Sequence, residues 1–201
     1  REPAMNPERL TRQIEFIREV DKLKTICRQT LLTDGSRLEN DAEHSWHLAL
    51  MALVLGEYAG SSEIDLLHVI RMVLIHDLVE IDAGDTYCYD EAGYKDKRER
   101  ETAAAERIFN MLPADQAAEI RSLWDEFEAS ETPEARFANA LDRLQPLMHN
   151  VATRGHMWKQ HGIVQSQVVD RNRKIADGAP DLWTFARRLI EQAANDGHLY
   201  P

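Results

Sequence analysis

The residue types best suited to chemistry are concentrated in residues 64–85, which read IDLLHVIRMVLIHDLVEIDAGD. His76, Asp77 and Glu80 interrupt an apolar pattern whose spacing predicts a buried helix. Ionisable side chains are rarely buried unless they have a partner or bind a metal ion. His76 and Glu80 lie four positions apart on one helix face, and Asp77 can reach the same point from its edge. A divalent cation there would offset the unfavourable position of several carboxylates near a helix C-terminus.

Two side chains elsewhere in the chain have types that could complete a metal site. His44 lies in the first turn of a helix whose predicted N-cap is Asp41, and Asp142 interrupts an otherwise apolar stripe of another. His47, three residues after His44, and His68, two turns before His76, are not predicted to be ligands. Taken singly, each has an ordinary explanation, because a buried histidine usually makes core hydrogen bonds and an inward aspartate often caps or pairs. Two imidazoles and two carboxylates suit one divalent transition metal, and the ligand types do not choose among Mn, Co, Fe, Ni and Zn. Such a site requires that separate helices converge on one point.

The order and context of these residues resemble the metal-binding signature of the HD-domain phosphohydrolase superfamily. More narrowly, they are similar to its 5′-deoxynucleotidase-like branch, which hydrolyses nucleoside 5′-monophosphates with a divalent metal. The segments that carry the resemblance are AEHSWHLALMA, HDLVEIDAGD and LWDEFEASETPEARFANALDRLQPL. The resemblance implies that the metal ligands are His44, His76, Asp77 and Asp142.

The resemblance also implies roles for three further residues. Glu80 would orient or deprotonate the attacking water, or alternatively would hold a ligand histidine in its tautomer. Asp85 would protonate the leaving sugar oxygen, or would only cap the turn after Gly84. Arg28 aligns with an arginine that binds the substrate phosphate, a contact that suits the guanidinium fork. The alternative for Arg28 is that it satisfies carbonyls at the end of a helix.

One departure from the branch affects the choice of substrate. Its bacterial members have a tryptophan after the phosphate-binding arginine, packed against the sugar, whereas Gln29 follows Arg28 here. Since Gln29 could accept a hydrogen bond from a ribose hydroxyl, both deoxy- and ribonucleotides stay open as small-molecule substrates. Another phosphate ester (a cyclic nucleotide, a nucleoside triphosphate or a sugar phosphate) is the first alternative. A catalytically silent, metal-binding regulatory module is the second.

Composition restricts the class of protein. The 201 residues are enough for a single domain, residues 1–201, with a sizeable core. The 24 basic and 35 acidic residues give a net charge of -11, which argues against binding to nucleic acid or to an anionic membrane. Cys27 and Cys88 lie far apart and suggest no disulfide framework. Residues 1–10 lack the apolar run of a signal peptide, and no stretch reaches roughly 20 apolar residues, so we expect a cytoplasmic protein.

Helical periodicity recurs along the chain, and strand-like alternation is absent from the pattern. We therefore predict an all-α fold, a single HD-domain bundle of about seven to eight helices. The segments 28–40 and 83–94 are predicted to be loops, the second forming a rim over the site. A homodimer is expected from the resemblance and from apolar surface on the helix at residues 112–127. The predicted helices cover residues 7–26, 43–58, 64–83, 95–112, 113–129, 133–151, 163–177 and 181–195.

Overall fold

The computed structural model of the protein describes residues 6–90, 92–93 and 95–201. The absence of an apolar leader was predicted partly from residues 1–5, and the rim loop includes positions 91 and 94, all of which lie outside the described residues. No helix in the described ranges is both long enough and apolar enough to cross a membrane.

The described residues form an all-α fold with one small sheet, which confirms the predicted class. Seven of the eleven α-helices in this part of the chain have ten residues or more, in agreement with the predicted number. In chain order the helices are α1 (Pro7–Val20), α2 (Asp41–Leu55), α3 (Leu66–Ile75), α4 (Glu80–Ala83), α5 (Lys97–Phe109), α6 (Ala114–Ala129), α7 (Pro133–Ala152), α8 (His156–Gln160), α9 (Gln165–Asn172), α10 (Ile175–Gly178) and α11 (Pro180–Asn195).

The segment predicted as a loop at residues 28–40 contains two short strands instead. β1 (Cys27–Leu31) pairs antiparallel with β2 (Leu38–Asn40). The first helix ends at Val20 and continues as a 3₁₀ turn over Asp21–Thr25. Arg28 therefore lies on a strand and not in the loop predicted to follow the first helix.

The start of α2 also differs from the prediction, which made Asp41 the N-cap. Asn40 caps the helix instead, because its side chain accepts a hydrogen bond from the Glu43 backbone N–H at 2.9 Å. Glu43 returns a bond to the Asn40 backbone N–H at 3.2 Å, which completes a capping box. The buried Asp41 side chain is thereby free to contact other parts of the protein.

The central helix is broken where the chemistry-bearing residues begin. α3 ends at Ile75, a 3₁₀ turn covers His76–Val79, and α4 follows before Gly84 ends the segment with φ +75°. Short 3₁₀ stretches within helices often mark functional sites. Leu78 and Val79 in this turn pack in a hydrophobic cluster with Phe109 and Trp124. The turn is therefore anchored by the two apolar residues that follow His76 and Asp77.

α7 is the longest helix and brings Asp142 into the interior. It contacts α2, α3, α6, α10 and α11. Phe137, Leu141 and Leu144 on this helix are buried in the main core together with Leu48 of α2 and Met72 of α3. Because α2, the end of α3 and the middle of α7 pack together, their polar side chains are brought to one place.

The large exposed apolar surface lies on α2 and not on the helix for which the sequence predicted it. Leu123, Trp124 and Phe127 of α6 are buried, so the prediction of spare apolar surface on residues 112–127 is wrong for these side chains. A stripe of large apolar side chains on α2 is exposed instead, with Trp46 and Val54 each 63% accessible. This stripe, at positions i, i+4, i+7 and i+8, consists of Trp46, Leu50, Leu53 and Val54.

Candidate metal centre

Four side chains that the sequence analysis selected from separate elements lie within reach of one point. His44 Nε2 is 3.0 Å from Asp142 Oδ1, and His76 Nε2 is 3.8 Å from the same oxygen. Asp77 Oδ1 lies 3.0 Å from His76 Nε2, and Asp77 Oδ2 lies 4.0 Å from His44 Nε2. The two imidazole rings are 5.6 Å apart between centroids. The structure thus brings the four residues together.

The hydrogen bonds around the two histidines fit a metal site. His76 Nδ1 donates to the Val73 carbonyl at 2.8 Å, and His44 Nδ1 donates to Gln145 Oε1 at 3.1 Å. When each ring is neutral, Nδ1 carries the proton, so Nε2 is the nitrogen left to bind a cation. His76 Nε2 is buried and has no hydrogen-bond partner among the described residues. An imidazole whose Nε2 faces carboxylates, and whose Nδ1 donates to a fixed acceptor, is typical of a metal ligand.

The electrostatics of the site favour a positive charge. Burial alone would lower the pKa of His76, but the carboxylates of Asp77 and Asp142 raise it to about 10. Burial would likewise raise the pKa of Asp142, but its hydrogen bond with His44 and the charges of His44 and His76 hold that pKa well below the usual value. Protons on the imidazoles therefore serve as the balancing charge when no cation is bound. A metal ion would replace them, because its ligands must be deprotonated.

A group of three carboxyl side chains lies beside these four residues. Oxygens of Asp41, Glu80 and Asp85 all lie within 4.8 Å of one another. Burial and the charge of Asp77 raise the pKa of Asp41 to about 6 and raise that of Glu80 well above its usual value. These shifts favour the protonated form of Glu80, whose carboxyl group lies beside that of Asp41. The same three oxygens have the chemistry to hold a cation.

The position of Glu80 decides between its two predicted roles. Val73 and Gln145 fix the tautomers of His76 and His44. Glu80 instead lies beside Asp41 and Asp85, and its Oε2 is buried without a hydrogen-bond partner in the described structure. The alternative in which Glu80 holds a ligand histidine is therefore not supported by the geometry.

Arg28 lies between the two groups of acidic side chains. Its Nη1 donates to Asp77 Oδ2 at 2.8 Å and to Asp41 Oδ1 at 3.2 Å. Burial would lower the Arg28 pKa, but the charges of Asp77, Glu80 and Asp142 raise it well above the usual value. The guanidinium is thus permanently charged and lines the cavity that leads to the histidines. This position contradicts the alternative in which Arg28 satisfies the carbonyls of a helix end.

The site opens into a cavity of about 330 Å³. One side of α7 forms its floor, with Asn139, Asp142, Pro146 and Asn150 at helical spacing. The loop after α4 supplies a wall, as the sequence predicted for a rim, and α9 with the segment that follows it supplies another. The wall residues include Asp85, Thr86, Tyr87, Cys88, Tyr89, Arg171, Asn172 and Lys174.

Asp85 and Gln29 meet at the edge of this cavity. Burial raises the pKa of Asp85, while Arg28 and a hydrogen bond from the Gln29 backbone lower it, and the net shift is upward. Gln29 itself lines the cavity. The residue that departs from the deoxynucleotidase pattern is therefore placed beside the space open to a ligand.

Three polar residues around the site were not selected from the sequence as functional. Asp41, which was predicted only to cap a helix, contacts Arg28. Its place near the site could have been predicted, because it lies one turn before His44. Glu39 lies on β2 with its Oε2 3.6 Å from His44 Nδ1. Gln145 on α7 is wholly buried and carried no signal, since a glutamine in a helix is ordinary. By contrast, His47 and His68 were excluded as ligands, and they contact Gln145 and Glu126 instead.

Comparisons of sequence agree with this geometry. A profile of the HD domain family matches residues 20–183. A human protein named 5′-deoxynucleotidase HDDC2 is 29% identical over 136 residues, which are 67% of this chain and 65% of the human protein. Its namesake from Dictyostelium discoideum is 31% identical over 144 residues, 69% of this chain and 76% of that protein. The 5′-deoxynucleotidase hdd1 of Schizosaccharomyces pombe is 25% identical over 97% of this chain and 90% of its own length.

Solved structures include a close match over almost the whole chain. A predicted metal-dependent phosphohydrolase from Magnetospirillum magnetotacticum MS-1 is 55% identical, with a TM-score of 0.92 and 96% of each chain covered. The PH0347 protein from Pyrococcus horikoshii OT3 is 20% identical, with a TM-score of 0.67 over 88% of this chain and 99% of that one. The second likeness is one of fold alone.

Proposed function

The chain belongs to the HD domain family, and on that premise we propose that it is a metal-dependent phosphomonoesterase. Its substrates are nucleoside 5′-monophosphates, deoxynucleotides among them, which it hydrolyses to nucleoside and phosphate. The observation that carries the proposal is the meeting of His44, His76, Asp77 and Asp142 at one point of a cavity. The names of the relatives from three eukaryotes support the substrate class.

His44, His76, Asp77 and Asp142 would hold one divalent transition metal, for which Mn, Co, Fe, Ni and Zn are all suitable. When bound, the metal supplies Lewis acidity, which lowers the pKa of a water molecule and offsets the charge of a phosphate. His76 Nε2, which is buried 3.0 Å from Asp77 Oδ1 without a hydrogen bond, is the feature of the structure that best fits this assignment. The protein's remaining contribution is to bind the ester, orient it and move protons.

Arg28 binds the phosphate of the substrate. Among the described residues, its hydrogen bonds to Asp41 and Asp77 both use Nη1. No hydrogen bond among the described residues uses Nη2, so this nitrogen can donate to a phosphate oxygen, whereas the buried Nε lies 3.9 Å from Glu39 Oε2. Since Arg28 also touches Asp77, the phosphate is held next to the proposed metal ligands. This placement offsets the net negative charge of the chain at the point where an anionic substrate enters.

Glu80 and Asp85 are the proposed general base and general acid. A carboxyl group whose pKa is raised by burial and by like charges is suited to acid–base work near neutral pH. Glu80, which lies beside Asp41 and lines the cavity, would orient the attacking water and, in the carboxylate form that a bound cation would favour, would accept its proton. Asp85, whose pKa is also raised and which lines the cavity, donates a proton to the leaving sugar oxygen.

A screen of phosphate esters tests the proposed substrate class. Metal-free protein is reconstituted with each candidate metal and incubated with deoxy- and ribonucleoside 5′-monophosphates, a cyclic nucleotide, a nucleoside triphosphate and a sugar phosphate. We expect inorganic phosphate from the 5′-monophosphates and little or none from the other esters. Pyrophosphate from the triphosphate would instead support the first alternative. Metal binding without turnover of any ester would support a silent regulatory module.

We also propose that two copies associate through the exposed stripe on α2. The support is the continuity of Trp46, Leu50, Leu53 and Val54 along one helix face, since such apolar surface is commonly an interface. Sedimentation equilibrium tests whether the chain is a dimer in solution, and Leu53→Glu should shift it toward the monomer. The proposed substrates favour the cytoplasmic location predicted from the sequence.

A further inference from the structure

Gln145 connects a proposed metal ligand to a buried carboxylate. Its Oε1 accepts the hydrogen bond from His44 Nδ1 at 3.1 Å, and its Nε2 donates to Glu39 Oε1 at 2.5 Å. The Gln145 side chain is wholly buried, and Glu39 is 2% accessible. These contacts form a continuous chain from carboxylate to amide to imidazole.

The surroundings allow only one orientation of the amide. Besides Glu39, its Nε2 lies 3.2 Å from His149 Nε2 and 3.2 Å from His47 Nδ1. His149 Nδ1 donates to the Leu31 carbonyl at 3.0 Å, so the Nε2 of the neutral ring is an acceptor. A flipped amide would place its oxygen among acceptors and lose the bond to His44. The Gln145 oxygen is therefore held toward His44.

This arrangement also explains a second group of potential metal ligands. Atoms of Glu39, His47 and His149 lie within 4.8 Å of one another, a spacing that a cation could also satisfy. The Gln145 nitrogen already lies within 3.2 Å of all three. The group is thus a hydrogen-bonded support for Gln145, not a place for a second ion.

We propose that Gln145 is a positioning residue for the metal: it holds His44 in the tautomer and orientation that present Nε2 to the ion. Glu39 in turn fixes Gln145, because its Oε1 accepts from Gln145 Nε2 at 2.5 Å. Glu39 Oε2 lies 3.6 Å from His44 Nδ1, so Gln145 provides the closer acceptor for His44. His76 needs no such side chain, since a backbone carbonyl accepts from its Nδ1. The inference rests on the proposed function, because it assumes that His44 binds a metal.

Metal affinity, measured separately from turnover, tests this role. Free Mn²⁺ is counted by electron paramagnetic resonance during titration of metal-free wild type, Gln145→Met and Gln145→Glu. Loss of a partner to a ligand histidine typically weakens metal binding about 10- to 100-fold, which is expected for Gln145→Met. Gln145→Glu should retain most of the affinity, because a carboxyl group that shares a proton with Glu39 still offers an oxygen to His44. Phosphate release by Gln145→Met should recover toward the wild-type rate as Mn²⁺ is raised.

Met148→Ala is the matched control, since Met148 lies on the same helix and packs against the main core without a polar contact to His44. It should bind Mn²⁺ as the wild type does. If Gln145→Met does not fold, Gln145→Asn takes its place, because its shorter amide cannot reach both His44 and Glu39. Wild-type affinity in a folded Gln145 variant, or an equal loss in Met148→Ala, would overturn the inference. Failure of the wild type itself to bind Mn²⁺ would reject the proposed function instead.

Discussion

His44 Nε2 and Asp142 Oδ1 lie 3.0 Å apart although 98 positions separate them in the chain. The contact exists because α2 and α7 pack against each other in the main core. The proposed metal site is therefore a product of the folded state, and an unfolded chain would not present it. Binding at such a site is linked to folding.

Metal removal should lower the melting temperature. A ligand that binds only the folded state at about 100 times its Kd adds about 2.7 kcal/mol to the free energy of unfolding. For a chain of this size that corresponds to a rise of roughly 5 to 11 °C. Scanning calorimetry with Mn²⁺ and with a chelator measures the difference. Identical melting temperatures would mean that no such site forms.

The stability of the metal-free protein should fall as the pH rises from about 6.5 to about 10. The pKa of His76 is raised to about 10 in the folded state, above the unfolded value of about 6.5. Its contribution is fully present below pH 6.5 and is lost as the pH rises through 10. Chelator-treated wild type and His76→Gln are compared by thermal melts across this window. If the dependence of stability on pH is as steep in His76→Gln as in the wild type, groups other than His76 cause the effect.

Arg28→Gln should raise KM for a nucleoside monophosphate about 10- to 100-fold at saturating metal. Hydrogen bonds to charged groups are worth about 1.5–3 kcal/mol, and this variant loses those to the phosphate. Arg37→Gln is the control, because Arg37 is exposed and its Nη2 pairs with Glu43 at 2.6 Å. Steady-state kinetics on both variants show whether the rise in KM is specific to Arg28→Gln. An unchanged KM in Arg28→Gln would remove Arg28 from substrate binding.

Gln29→Trp should shift selectivity toward deoxynucleotides. Gln29 lines the cavity next to Arg28, and an indole at this position would occupy space near the sugar. The ratio of kcat/KM for dAMP to that for AMP is expected to rise by about tenfold, equivalent to about 1.4 kcal/mol of discrimination. Thr33→Trp, in the exposed hairpin turn, controls for the added aromatic surface. A ratio that does not change would show that residue 29 is remote from the sugar.

The proposed ligand set was visible in the sequence because it combines residue type with position in an apolar pattern. His76 and Asp77 are conspicuous among aliphatic neighbours, and Asp142 interrupts a clear stripe. The capping residue of α2 was also accessible, since Asn40 and Glu43 have the spacing of a capping box, but Asp41 at the next position was an equally good cap by type.

Other features of the fold and of the site could not be predicted from the sequence. β1 has five residues and β2 has three, too few for alternation to identify a strand, so residues 28–40, Arg28 among them, were predicted to be a loop. The change from α3 to a 3₁₀ turn at His76 follows from packing of Leu78 and Val79, which periodicity does not encode. The position of Gln145 depends on the register between α7 and α2, which is set by tertiary packing.

The most direct test of the account is phosphate release by Asp77→Ala at a metal concentration that saturates the wild type. Asp115→Ala, which removes an exposed aspartate paired with Arg9, is assayed beside it as a folded control. We predict that Asp77→Ala releases phosphate from a nucleoside 5′-monophosphate no faster than the uncatalysed background, while Asp115→Ala matches the wild type. Turnover by Asp77→Ala at the wild-type rate would contradict the assignment of the catalytic metal to this site.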